Sequence, residues 1–306
     1  MGRVVAAIDV GTNTVLLLIA RMDTDGTLNP VKEVYRAPRL GAGVDARNIL
    51  HPDAVARVIA VLNEYRAIAI SHGADRIIVG ATSAVRDAAN RDDFINVVRH
   101  RTGLNLEVLS GEEEALWSYH GAISDLPSAD HLLVVDIGGG STEMIWGNAK
   151  TITQRASCNI GAVRLTERCF RHDPPSEAEV DLAGGAIDAA LGTIAPTAIP
   201  AGQLLAVAGT PTTLATLALG LKEFSQKAVA GYVMERATIE KLWSQLHRLP
   251  AAEIRKFSDV LEGRADVITA GTLILLKVMD RFGFDAVRVS DRGLRYGLVL
   301  RDQKTD

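Results

Sequence analysis

A chain of 306 residues, 47% of them hydrophobic and 23% charged, is long enough for about two domains with sizeable cores. Its net charge of −4 excludes the basic footprint of a non-specific nucleic-acid binder, so an anionic ligand must be met by local arginines and backbone amides. No apolar run reaches about 18 residues without a charge, which excludes a membrane-spanning helix.

Met1-Gly2-Arg3 runs straight into an apolar, β-branched strand, Val4 to Ile8, with neither a leader pattern nor a myristoylation signal. Asp9-Val10-Gly11-Thr12-Asn13-Thr14 is a polar turn, and Val15 to Ala20 is a second strand. Asp23-Thr24-Asp25-Gly26 reads as a hairpin turn and Val31 to Arg36 as a third strand, completing an antiparallel meander. Pro52 to Ser71 predicts a helix, with Val55, Val58, Ile59, Leu62 and Tyr65 at helical spacing and Gly73 as its stop. Arg76 to Val79 is a short strand, and a short helix from Ala84 carries Arg86. Arg86 therefore lies just past the carboxyl end of a strand, where open α/β sheets place ligand contacts; a plain surface arginine is the competing reading.

Asp92 to Thr102 reads as a helix and Leu104 to Leu109 as a strand. Ser110 then caps a helix reaching about Ile123, with Glu113 completing a capping box. The cap and the helix dipole explain Glu112 and Glu113. If Ala115 and Ser118 pack inward, Glu114 is the acid best placed at the domain boundary, where it could orient and deprotonate a water beside a phosphate. The polar, proline-bearing stretch Asp125 to Asp130 is the expected linker.

A buried strand, Leu132 to Val135, runs into Asp136-Ile137-Gly138-Gly139-Gly140-Ser141-Thr142-Glu143. Consecutive glycines leave backbone N–H groups uncovered in the concave nests that suit phosphate oxygens. The adjoining hydroxyls and the carboxylates Asp136 and Glu143 suit Mg²⁺. A tight glycine hairpin is the bland alternative, and a repeat weighs against it. Setting Asp9 on Asp136, an offset of 136 − 9 = 127 residues, aligns Asp-Val-Gly-Thr-Asn-Thr with Asp-Ile-Gly-Gly-Gly-Ser. Each turn is followed by an apolar strand, a polar turn and a third strand; in the second copy these are Thr142 to Trp146, Gly147 to Lys150 and Thr151 to Ala156. So long a period indicates two similar α/β domains, expected at 1–125 and 126–306, and not a solenoid. Two facing turns predict a phosphate chain clamped in the cleft between the domains.

Cys158 and Cys169 fit neither a disulfide framework nor a zinc pattern and read as buried apolar residues of a protein in a reducing cytoplasm. Asn159 to Glu167 turns into a helix, and Ser176 caps another that runs to about Ile194. Leu204 to Ala208 is a strand, and Gly209-Thr210-Pro211-Thr212-Thr213 opens an apolar helix whose free amides make a third anion candidate at Gly209 and Thr210. Pro211 removes one donor and weakens it. Helices over Glu235 to Arg248 and Ala265 to Phe282, a strand over Ala286 to Ser290 and a closing helix over Gly293 to Arg301 complete the chain.

Taken together, Ala7-Ile8-Asp9-Val10-Gly11-Thr12-Asn13-Thr14, Gly80-Ala81-Thr82 through Arg86-Asp87-Ala88, Ser110-Gly111-Glu112-Glu113-Glu114-Ala115, Asp136 to Glu143, Gly161-Ala162-Val163-Arg164-Leu165 and Asp291-Arg292-Gly293-Leu294-Arg295 resemble the exopolyphosphatase/guanosine pentaphosphate phosphohydrolase family of the actin-like ATPase fold. The resemblance covers essentially the whole chain. It implies two ribonuclease-H-like domains with a cleft between them and hydrolysis of the terminal phosphoanhydride of inorganic polyphosphate or guanosine pentaphosphate. It implies Glu114 as general base, Asp136 and Glu143 as carboxylates for Mg²⁺ or another divalent cation, and Arg86 as a phosphate contact. The phosphate-binding set expected beside Arg86 is Gly11, Thr12, Asn13, Thr14, Gly138, Gly139, Gly140, Ser141, Thr142, Gly209 and Thr210. Neither nucleic acid nor membrane is an expected partner, and a homodimer is left open. Two departures stand out: Tyr296 replaces the usual glutamate of the closing motif, and the Gly209 loop is poorer in glycine than the family's. The chain, ending at Asp306, is also expected to lack the C-terminal helical domain with which long members hold long polyphosphate. The rival readings are a guanosine pentaphosphate hydrolase, a kinase or ATPase of the same superfamily, and a non-catalytic phosphate sensor.

Overall fold

The computed structural model describes residues 2–126, 130–195 and 202–303. The chain divides into two compact units, residues 1–124 with 293–306 and residues 125–292, each built on one sheet.

In unit 1, β1 (Arg3–Val10), β2 (Val15–Met22) and β3 (Leu28–Arg36) form the expected meander, each strand longer than its apolar run. The one-turn helix α1 (Val44–Arg47) and the long helix α2 (Pro52–Ser71) lead to β4 (Arg76–Ala81) and α3 (Ser83–Arg86). Then come α4 (Arg91–Thr102), β5 (Leu106–Val108) and α5 (Gly111–Ala122). The strand order is β3-β2-β1-β4-β5, with β4 and β5 parallel to β1. Val15, Leu17 and Ile19 of β2 enter one core with Val58, Leu62 and Tyr65 of α2 and Phe94 of α4; Leu18, Ala20 and Met22 enter another. A sheet covered on both faces loses the apolar–polar alternation, which is why β1 and β2 read as unbroken apolar runs.

Unit 2 repeats the pattern with β6 (Leu132–Ile137), β7 (Thr142–Gly147) and β8 (Ile152–Cys158), followed by α6 (Ala162–Cys169) and α7 (Glu177–Gly192). After β9 (Gln203–Val207) come α8 (Gly209–Ala218), α9 (Gln226–Val229), β10 (Val233–Glu235), α10 (Arg236–Leu246), α11 (Ala251–Ile254), α12 (Ile268–Phe282) and β11 (Ala286–Val289). The order β10-β11-β9-β6-β7-β8 places β9 parallel beside β6, as β4 lies beside β1. The internal repeat is thus one of structure as well as sequence: Asp9 pairs across the hairpin with Leu16, and Asp136 pairs with Glu143, at the same 127-residue offset. Strand β10 and the one-turn helices α1, α9 and α11 escape a sequence reading because three or four residues carry too little periodicity.

The last helix, α13 (Leu294–Gln303), corrects the expected domain span 126–306, because it belongs to unit 1. Leu294, Tyr296, Leu298 and Val299 bury themselves with Val5, Ala7, Leu18 and Ala20, closing the second face of the first sheet. Helix α13 crosses α5 at backbone distance: a Cβ on Gly297 would stand 1.9 Å from the Trp117 carbonyl oxygen, and one on Gly121 would stand 2.0 Å from that of Gly293. Tyr296, the departure from the family motif, is fully buried and donates its hydroxyl to Glu33 Oε1 at 2.6 Å. Asp302 is buried between Arg3 and Arg76. The other expected boundary lies within a residue of the one found, although positions 127–129 of the expected linker lie outside the described residues.

Candidate active site

In unit 1 the site residues gather at the carboxyl ends of three adjacent parallel strands, β1, β4 and β5, the edge at which open α/β sheets bind ligands. The turn after β1 is closed by the Gly11 N–H donating to the Thr14 carbonyl at 2.9 Å. The carbonyls of Thr12 and Asn13 accept from the Gly41 and Arg39 N–H groups at 2.8 and 3.0 Å. Gly41 is required there, since a Cβ would lie 2.2 Å from Thr12 Cγ2. The buried hydroxyls of Thr12 and Ser83 share a hydrogen bond of 2.9 Å, tying this turn to the start of α3. At the end of α3, Arg86 Nη1 donates to Glu114 Oε2 at 2.8 Å and to the Leu109 carbonyl at 3.0 Å.

Glu114 is 7% exposed, whereas its neighbours Glu112 and Glu113 face solvent. Ser110 and Glu113 form the expected capping box, and Ala115 and Ser118 pack inward as expected. A carboxylate this deep needs a partner, and Arg86 is it.

In unit 2 the turn after β6 is built the same way, with the Gly138 N–H donating to the Ser141 carbonyl at 3.0 Å. All three glycine carbonyls are taken by the start of α6. Gly138 O accepts from the Ala162 N–H at 2.9 Å, Gly139 O from Val163 and Arg164 at 2.8 and 3.0 Å, and Gly140 O from Arg164 Nε at 2.6 Å. The approach leaves no room for a side chain at Gly161, whose Cβ would stand 2.5 Å from the Gly139 carbonyl carbon and oxygen. In a trans peptide the N–H points opposite to the C=O of the preceding residue. With those carbonyls turned onto α6, the N–H groups of Gly139, Gly140 and Ser141 face the other way, and none has a backbone acceptor among the described residues. Three amides on one side of a turn form an anion nest. The Thr142 hydroxyl, in contrast, donates to the Ile160 carbonyl at 2.6 Å and anchors β7.

Asp136 and Glu143 stand directly opposite each other on β6 and β7, so their side chains share a face. They are 9% and 0% exposed, and the Ser157 hydroxyl donates to Glu143 Oε1 at 2.8 Å. Two buried carboxylates side by side oppose each other's ionisation unless a cation joins them. Among the described residues no group of three or more His, Cys, Asp or Glu side chains forms a metal cage. Two carboxylates without a cage fit the way Mg²⁺ is held, with waters and phosphate oxygens completing its shell. Unit 1 has no such pair, because Leu16 occupies the position equivalent to Glu143.

The third expected loop lies beside this pair, since Asp136 is in register with Val207. Ala208 adopts φ 77° and ψ −168°, a region nearly reserved for glycine, at the entry to α8. Arg264 Nη1 donates to the Gly209 carbonyl at 2.9 Å and to Thr213 Oγ1 at 3.0 Å, while Thr210 is buried against Gly271. Sequence reasoning assigned no role to Arg164, Arg264, Ser83 or Ser157. Arg164, in the Gly161 to Leu165 motif, and Ser83, in the Gly80 to Ala88 motif, carried a signal by position alone. The two cysteines are buried as expected, and burial, reinforced by nearby Glu143, pushes the Cys158 thiol up to about 11, which leaves it inert at neutral pH. No helix among the described residues is long and apolar enough to cross a membrane.

Residues 18–306 match the model of the Ppx/GppA phosphatase family. The chain is 36% identical to Exopolyphosphatase 2 of Mycobacterium tuberculosis, covering 97% of both chains. Among solved structures it is similar to the Aquifex aeolicus Ppx/GppA family member, at 33% identity and a TM-score of 0.83, covering 99% of this chain and 98% of the other. It is also similar to an exopolyphosphatase from Cytophaga hutchinsonii, at 27% identity and a TM-score of 0.90, with coverage of 99% and 98%. The two-sheet α/β fold is accordingly the actin-like one.

Proposed function

The chain belongs to the Ppx/GppA phosphatase family, and from that premise we propose that it is an exopolyphosphatase, releasing terminal orthophosphate from inorganic polyphosphate. The observation that carries this reading is the unit 2 turn, whose three amides face one way beside two buried carboxylates. That combination suits a phosphate chain accompanied by a divalent cation.

In the proposed reaction a water oxygen attacks the terminal phosphorus, and Glu114 positions that water and takes its proton. The bond between the terminal phosphorus and the bridging oxygen breaks, and the shortened chain leaves with the electron pair. Arg86 holds Glu114 and, with the turns at Gly11 to Thr14 and Gly138 to Ser141 and the Gly209-Thr210 start of α8, supplies the hydrogen-bond donors for phosphate oxygens. Asp136 and Glu143 would hold Mg²⁺, which, when bound, neutralises charge on phosphate oxygens. Little covalent work falls to the protein, because phosphoryl transfer is mainly positioning and charge stabilisation. Orthophosphate release from short-chain polyphosphate, with guanosine pentaphosphate as comparator and Mg²⁺ present, tests the proposal. Faster release from the nucleotide would move the assignment to a guanosine pentaphosphate phosphohydrolase, and release from neither would remove it.

A further inference from the structure

The two glycine turns are braced alike but not by the same kind of bond. In unit 1 the Thr12 and Asn13 carbonyls are both held by backbone N–H groups, those of Gly41 and Arg39. In unit 2 the carbonyls of Gly138 and Gly139 are also held by backbone N–H groups, but that of Gly140 is held by a side chain, Arg164 Nε, at 2.6 Å. The peptide whose carbonyl Arg164 holds is the one whose N–H belongs to Ser141, the last amide of the nest. A rotation of that peptide would turn the Ser141 N–H out of line with its two neighbours. The hydrogen bond from Arg164 Nε to the Gly140 carbonyl opposes that rotation.

We propose that Arg164 is a positioning residue for phosphate binding, acting through the Gly140–Ser141 peptide and not by touching substrate. The proposal rests on the exopolyphosphatase reading above. It makes the hydrogen bond, and not the charge, the active feature of Arg164, and this gives a discriminating pair of variants. In Arg164→Gln the side-chain N–H stands the same number of bonds from the backbone as Arg Nε, so the donor survives without the charge. In Arg164→Met a methyl group stands there instead, and the donor is lost along with the charge.

The test is calorimetric binding of tripolyphosphate in the presence of EDTA, together with steady-state phosphate release and melting temperature for each protein. The expected result is about tenfold weaker binding and a correspondingly raised KM for Arg164→Met, with kcat within about threefold of the parent. Arg164→Gln is expected to bind within about threefold of the parent. Equal binding by the parent and Arg164→Met would overturn the proposal. So would equal weakening in both variants, which would assign the effect to charge. A fall in kcat and melting temperature at unchanged tripolyphosphate affinity would reduce Arg164 to a structural role. A parent protein that neither binds tripolyphosphate nor releases phosphate would instead overturn the functional reading on which the proposal stands.

Discussion

Glu114 is set apart from the acids beside it by depth and by its partner. It is nearly buried, and Arg86 holds it through a guanidinium that also grips the Leu109 carbonyl. Replacing Glu114 with Gln should lower turnover by about 10²–10⁴-fold and leave tripolyphosphate binding largely intact, as checked by paired kinetics and calorimetry. Unchanged turnover would remove Glu114 from the chemistry. Removing Arg86 alone, as Arg86→Met, leaves the carboxylate buried without its cation and should cost about 3 kcal/mol in urea unfolding. Combining it with Glu114→Gln should recover part of that loss, and strict additivity of the two changes would deny the coupling. The placements of Glu114, Asp136 and Glu143 are legible in the sequence because each sits in a local pattern of caps, glycines and strand ends. The bonds of Arg164 and Arg264 to Gly140 and Gly209 are not, because they join positions 24 and 55 residues apart, a separation no local pattern encodes.

Among the elements, the caps were the most readable features. Ser110 and Ser176 both form complete capping boxes, with Glu113 and Glu179 as partners. The Ser176 N–H, helped by the Arg171 N–H and His172, draws Glu179 from its ordinary 4.5 down to about 2. A carboxyl depressed on folding stabilises the fold fully above its unfolded value of 4.5 and loses that stabilisation as the pH falls towards 2. Glu179→Gln should therefore be less stable than the parent near neutrality, and the difference should shrink as the pH falls through this window, as read from urea unfolding against pH. A difference that does not change with pH would refute the assignment. What the elements' own sequences do not disclose is how closely they approach. Gly161 reads as an ordinary helix-start glycine, and only the Gly139 and Gly140 backbone against it shows why no side chain fits.

At the level of the whole molecule, the duplicated strand–turn–strand was visible in the sequence at its true offset, since both copies keep an aspartate at the end of the first strand. The return of α13 to unit 1 was not, because the apolar face of a closing helix does not say which sheet it will cover. The tight crossing at Gly297 makes this docking testable: Gly297→Ala would force its new methyl against the Trp117 carbonyl on α5, the helix that carries Glu114. A loss of about 1–3 kcal/mol in unfolding free energy, accompanied by reduced turnover, is expected. A stable and fully active variant would deny that α13 sets the position of α5. In the proposed hydrolysis, water attacks the terminal phosphorus. Hydrolysis of tripolyphosphate in water enriched in the heavy oxygen isotope tests this most directly. The label should appear in the released orthophosphate and not in the remaining chain; label at the new chain terminus would contradict it.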